Sequence, residues 1–277
     1  MPKVLVTGAG GFIGRAVVNR LTDIGYEAVT FDRRDGEDIL DPRALDEAVK
    51  DSYAVIHLAG VLGTHELFDN VKLALAVNIN GTVNVLDSCV RYGSRYVGIT
   101  MPQVFPSIYT ATKIAATRLA SAYHHTHGLP VAHVRAYNAF GPGQAHGPGH
   151  PQKILPTFAV KAWRGEPLPV WGDGHQTVDL IETRELAKVL VAALQFGDDR
   201  VFDGGTGVGE SVIEVARQVC AIVGVDPLIQ FLPMRRGEKP THIVANEENW
   251  DLLSDHERPR RRPLEETVLS YKDWYDD

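Results

Sequence analysis

A chain of 277 residues, 44% of them apolar and 23% charged, can bury one large core or two smaller ones. Its net charge is −7 and no lysine or arginine run precedes residue 258, which argues against nucleic-acid binding. Its only cysteines, Cys89 and Cys220, sit in apolar helical surroundings and read as buried thiols rather than a disulfide framework. No apolar run approaches the length of a membrane span, and the N-terminus opens directly into a strand, so a cytoplasmic protein without a signal peptide is expected.

The run KVLVT, Lys3 to Thr7, predicts a buried parallel strand. Gly8, Gly11 and Gly14 follow in TGAGGFIG, and Ile13, Val17, Leu21 and Ile24 then recur at helical spacing until Gly25. Strand, glycine turn and helix in that order hold the pyrophosphate of a dinucleotide. Glycine lets the backbone come close, and the helix N-terminus offers free N–H groups and a positive dipole end. The next strand, Glu27 to Phe31, ends in Asp32, where an acidic residue bonds the ribose hydroxyls of NAD and repels the 2′-phosphate of NADP. Arg33 and Arg34 follow at once and would serve that phosphate instead, so NAD is preferred with NADP left open. Asp38 and Ile39 would lie near the adenine edge. The run AVIHLAG, Ala54 to Gly60, would pass beneath the cofactor.

Strands alternate with helices through residue 136, which predicts a Rossmann-like, doubly wound parallel sheet. RYVGIT, Arg95 to Thr100, is a further strand, residues 109–127 a helix, and a strand starts at Val131. The Gly/Pro-rich stretch 141–152 has no regular element and reads as a mobile substrate loop. A helix from Pro156 to Gly165 leads into a smaller α/β C-terminal domain, and the strand from Val201 returns to the main sheet. The expected division is 1–136 and 177–204 for the cofactor domain, with 137–176 and 205–277 for the substrate domain. The segment Glu257 to Pro263, ERPRRRP, reads as an exposed basic loop.

Tyr109 and Lys113 in YTATK are four apart, so on a helix they share a face. A lysine cation near the phenol favours phenolate and lowers a pKa normally near 10. Tyr109 would then accept the proton of a substrate hydroxyl as its carbon gives up a hydride, while Lys113 would bond the nicotinamide ribose.

From TGAGGFIG through HLAG, NINGT, YTATK, RAYNAFGPGQ, GEPLPVWGDGHQTVDLIETRELA, FDGGTG and RRGE, the chain resembles an extended short-chain dehydrogenase/reductase of the nucleotide-sugar epimerase/dehydratase type. The resemblance implies an NAD-dependent epimerase on a nucleotide sugar, a homodimer, and cofactor contacts from Phe12, Ile13, Leu58, Ala59, Gly60 and Asn78. It places a substrate-oxygen hydroxyl at Met101, with Thr100 adjacent to take over part of its task. Pro102 and Gln103 fall where the dehydratases carry an acidic pair. The segment from this strand to Tyr109 is shorter than in the family. Asn138 and Arg235 match the residues that hold the substrate diphosphate, with Arg236 able to replace Arg235 by a small shift, but the arginine of the Gln-Thr-Arg-Asp run is Val178. His146 and His150 sit on the mobile loop within reach of substrate. The histidines 124, 125 and 127 end a helix, and no metal site is expected. A reductase, a dehydratase or a non-catalytic sugar-nucleotide binder are the alternatives.

Overall fold

The computed structural model describes residues 1–102, 104–272 and 274. Among them the strands are β1 (Lys3–Thr7), β2 (Glu27–Phe31), β3 (Ala54–His57), β4 (Arg95–Thr100), β5 (Val131–Ala136), β6 (Asn138–Phe140), β7 (Leu168–Trp171), β8 (Thr177–Glu182), β9 (Asp198–Gly204), β10 (Gly209–Ser211) and β11 (Ile229–Leu232). The helices are α1 (Phe12–Asp23), α2 (Pro42–Val49), α3 (Val71–Ala74), α4 (Thr82–Tyr92), α5 (Ile108–His127), α6 (Ile154–Trp163), α7 (Thr183–Ala192), α8 (Val212–Val223) and α9 (Glu265–Ser270).

Six parallel strands form the main sheet in the order β2-β1-β3-β4-β5-β9. A strand buried on both faces must be apolar throughout, and Val4, Leu5, Val6, Val55 and Ile56 have no exposure at all. Helices α1 and α7 cover one face, and the other carries the core of Leu5, Phe31, Val85, Leu86 and Val131. The order reverses beside β1, so the C-terminal ends of β1 and β3 open a crevice there, the usual ligand position of such sheets.

The smaller layer has its own core of Phe140, Leu155, Phe158, Val170, Val215, Val219 and Tyr271. It contains a three-stranded sheet, β10-β8-β6, and a two-stranded one, β11-β7. The expected return to the cofactor layer at residue 177 is therefore displaced by one strand: β8 pairs with β6 and β10, and the chain rejoins the main layer through α7 and β9. The basic run is not a free loop. Arg262 and the Arg260 N–H bind the buried Glu185 carboxylate, Arg261 binds Glu210, and Arg258 Nε donates to the Trp250 and Leu253 carbonyls. Those pairs pin the C-terminal segment across the molecule.

Between α3 and α4 the helix widens to a π-turn over Leu75–Gly81, giving a continuous helical stretch from Val71 to Tyr92. By length and composition that stretch is apolar enough to cross a membrane, contrary to the sequence reading. Here Val85, Leu86 and Cys89 pack into the core beside β1 and β3, and α4 lies against α2 and α5.

Candidate active site

One cleft of about 960 Å³ runs between the two layers, bounded by the glycine turn, the end of β4, the start of α5, β6, α6 and the segment 234–243. Its cofactor end is built from backbone. Gly8 has φ +72°, and a Cβ there would stand 2.8 Å from the Ala59 nitrogen. At Gly14 a Cβ would come within 2.2 Å of the Gly8 carbonyl oxygen, so no larger residue fits without moving the turn. The first turn of α1 has no side-chain cap, which leaves its N–H groups for an anion. Gly8, Gly11, Phe12, Ile13, Gly14, Asp32, Arg33, Asp38, Ile39, Leu58, Ala59 and Gly60 all line the cleft. An uncapped helix start, a turn only glycine can make and an acid at the end of the second strand fit NAD.

Asp32 is 8% exposed and held on both oxygens: Gly10 N–H donates to Oδ2 at 2.8 Å and Arg34 N–H to Oδ1 at 3.0 Å. Its own N–H donates to Glu37 Oε2 at 3.0 Å, which brings a second carboxylate to the same rim. The Arg34 guanidinium is occupied by the Gly10 carbonyl. Asn78 departs from expectation. It is buried, does not line the cleft, and spends its amide on Val61 N–H (2.9 Å), Val61 O (3.0 Å) and Thr112 Oγ1 (3.0 Å). It ties the loop after β3 to α5, and so positions that wall of the cleft. His57 is likewise structural: it bridges Thr7 Oγ1 (2.7 Å) and Thr82 Oγ1 (3.1 Å), and burial, with the Lys113 charge behind it, takes its pKa down to about 3.

At the centre of the cleft, Thr100, Met101, Pro102, Tyr109 and Lys113 come together. The end of β4 delivers Thr100, and Ser107 caps α5 by accepting the Thr110 N–H, which fixes the helix start beside Tyr109. Gln103 lies outside the described residues. Burial pushes Tyr109 up to about 12 and Lys113 down to about 8, and no hydrogen bond joins them. Burial disfavours the charged form of both groups.

Asn138 and Arg235 both line the substrate end. Arg235 lies 4.7 Å over the Trp171 ring and is paired on two nitrogens with Glu238, at 2.9 and 2.7 Å. Val178 also lines the cleft, so the family's arginine position faces the right place without its charge. His146 does not line it; burial and the nearby Arg164 and Lys161 charges lower its pKa, and His150 occupies the lining instead. Sequence reasoning missed Lys153, which ends the loop at the N-cap of α6 and lines the cleft. Burial lowers its pKa, with the Glu66 charge opposing and the Arg235 charge adding to the shift. It also missed the unpartnered buried atoms Gln144 Oε1, Thr157 Oγ1 and Gln176 Oε1, all on cleft-lining residues. Only the packed structure shows that these atoms lack protein partners.

Residues 4–203 match the model of the NAD dependent epimerase/dehydratase family. The low-salt glycan biosynthesis protein Agl12 of Haloferax volcanii is 28% identical, with 87% of this chain and 89% of that protein aligned. A trifunctional UDP-glucose 4,6-dehydratase/UDP-4-keto-6-deoxy-D-glucose 3,5-epimerase/UDP-4-keto-L-rhamnose-reductase of Arabidopsis thaliana is also 28% identical, over 99% of this chain and 47% of that longer protein. Among solved structures, MoeE5 in complex with UDP-glucose and NAD superimposes with a TM-score of 0.85 at 27% identity, over 99% of this chain and 98% of that one. The chain belongs to the NAD dependent epimerase/dehydratase family, and its cofactor is NAD.

Proposed function

We propose that this member of the family is a nucleotide-sugar epimerase that oxidises a sugar hydroxyl transiently and restores it with opposite configuration. The observation that carries the choice over a dehydratase is the residue set around Tyr109. A dehydratase must protonate a departing hydroxide, yet Pro102 stands at the family's acid position and the neighbouring Gln103 is no acid. Of the carboxylates lining the cleft, Asp32, Glu37 and Asp38 belong to the cofactor end, and Glu238 is paired with Arg235.

NAD, when bound, supplies the hydride acceptor and donor. Tyr109, as the phenolate, takes the hydroxyl proton as the carbonyl forms and returns it as the carbonyl is reduced, with Lys113 holding positive charge beside it. Thr100 offers a hydroxyl to the reacting oxygen where Met101 offers none. Asn138, Arg235 and Lys153 hold the diphosphate. Lys153 supplies the positive charge that Val178 lacks, and the N-terminus of α6 adds its dipole. Subunit pairing and a cytoplasmic location belong to the same proposal.

A reductase is the second reading, and the raised phenol favours it, since ketone reduction needs Tyr109 protonated at the start. Incubating the NAD-loaded protein with UDP- and dTDP-hexoses and following the sugar by NMR tests the choice. Inversion at one ring carbon without added NADH supports the epimerase. Stoichiometric NADH consumption with a keto-sugar, and no inversion of the hydroxyl sugars, replaces it with the reductase.

A further inference from the structure

Doubly wound nucleotide-binding sheets commonly carry a further strand outside the second one. Here β2 is the edge of the main sheet among the described residues. The chain leaves it through a single turn, Arg33–Asp35, and returns through α2 to β3 on the far side of β1. That short path sets Glu37 against Asp32. Gly36, at φ +87°, reverses the chain, and the Glu37 N–H donates to the Asp32 carbonyl at 3.2 Å. In return the Asp32 N–H donates to Glu37 Oε2 at 3.0 Å. Among the described residues Glu37 Oε1 accepts no hydrogen bond, and Glu37 lines the cleft. Both Asp32 oxygens, by contrast, already accept a backbone N–H.

We infer that Glu37 is a second reader of the cofactor's adenosine ribose: it accepts a hydrogen bond from the 2′-hydroxyl beside Asp32, and its charge helps to exclude a 2′-phosphate. Ribose hydroxyls lie at the end of the second strand in such sheets, and Glu37 is anchored to the residue that marks that end. A hydroxyl donates to a free carboxylate oxygen, whereas a phosphate dianion has no proton to give and is repelled. The charged residues on this rim are Asp32, Glu37 and Asp38 against Arg33 and Arg34, so Glu37 tips the balance from neutral to negative. The inference rests on NAD as the cofactor and is independent of which sugar reacts.

Equilibrium binding of NAD, of NADP and of an NAD analogue without the adenosine 2′-hydroxyl to the full chain tests it. Glu37→Gln keeps an acceptor for the Asp32 N–H and for the ribose but loses the charge. NADP should then bind about 10-fold tighter, while NAD affinity changes by less than about 3-fold. Glu37→Ala loses the acceptor as well. It should bind NAD about 10-fold more weakly, the scale of a hydrogen bond to a charged group, and the deoxy analogue with a much smaller loss. An unchanged ratio of NAD to NADP affinity in Glu37→Gln overturns the inference. So does an equal loss for NAD and the deoxy analogue in Glu37→Ala, which would make Glu37 a support for Asp32 alone. If the wild type binds neither NAD nor NADP at millimolar concentration, the cofactor assignment falls first and takes this inference with it.

Discussion

The two ends of the cleft are built from different materials. At the cofactor end the backbone does the work: Gly8 and Gly14 let two chain segments touch, α1 begins uncapped, and Asp32 is fixed by two N–H donors. At the reacting and substrate end the work falls to side chains, and each of them has a rival partner. Arg235 has Glu238, and Lys153 has Glu66 nearby. Tyr109 and Lys113 sit in buried surroundings that push their pKa values apart, the phenol up to about 12 and the ammonium down to about 8, each toward its neutral form. A backbone cradle has one solution for a given sequence. A side-chain site has several, and the neighbours choose among them.

The largest effect expected is at Tyr109. Tyr109→Phe should reduce turnover by about 10²–10⁴-fold, the worth of a positioned acid–base group, while NAD affinity stays the same. Steady-state rates beside NAD titration check this. A loss of NAD binding instead would mean that the reacting residue also belongs to the cofactor cradle, and the two ends could not be treated separately.

His57 couples the cofactor layer to pH. Its folded pKa near 3 lies below the unfolded 6.5, so the unfolded chain binds the extra proton between those values. Stability from this group is complete above pH 6.5 and falls as pH drops toward 3, by about 1.4 kcal/mol per unit at most. Lys113 acts on the other side: its folded value near 8 lies below 10.5, so raising pH from 8 to 10.5 relieves a cost of folding. Chemical denaturation of wild type and His57→Gln at pH 7, 5.5 and 4.5 should show a flatter acid limb in the variant. Parallel limbs would show that another group governs acid stability.

How far the sequence reached follows the same division. The spans Lys3–Thr7, Glu27–Phe31 and Arg95–Thr100 are read to the residue, because buried parallel strands are short apolar runs between turn signals. The twelve cofactor residues other than Asn78, Tyr109 and Lys113 line the cleft because glycine and strand-end positions dictate where the backbone goes. The protein partners of Asn78, Val61 and Thr112, were not legible, because they are remote in sequence and asparagine at a helix bulge satisfies backbone as readily as ligand. On a Gly-rich loop no period distinguishes His146 from His150, and it is His150 that lines the cleft. The raised phenol was invisible, because spacing reveals proximity to a lysine and says nothing of the surrounding dielectric.

Arg235→Ala sharpens the substrate end. It should weaken UDP or dTDP binding by about 1.5–3 kcal/mol, the range for a charged hydrogen bond. Lys153→Ala should cost less than that, since a flexible ammonium grips phosphate with less directionality than guanidinium. Isothermal titration of both variants and of the pair gives the comparison. If Lys153→Ala alone has no effect, Val178 is uncompensated and Arg235 carries the diphosphate with Asn138.

The smallest effect is expected at Arg34, and it bears on whether the cofactor end is as independent of side chains as its backbone suggests. As a reader of the 2′-phosphate, Arg34 would need a free guanidinium. Here that group sits on the Gly10 carbonyl, a partner it shares with Arg15 Nη1 at 2.9 Å. Two carboxylates, Asp32 and Glu37, stand on the same rim, so a dianionic phosphate meets repulsion before it meets a cation. Arg34→Ala should therefore change NAD and NADP affinities by no more than about 0.5 kcal/mol each, the usual size for a surface substitution. Asp32→Asn should narrow the preference for NAD far more. A selective fall in NADP affinity in Arg34→Ala would show the guanidinium swinging off Gly10 to meet the phosphate, and the cofactor end would then share the side-chain dependence of the substrate end.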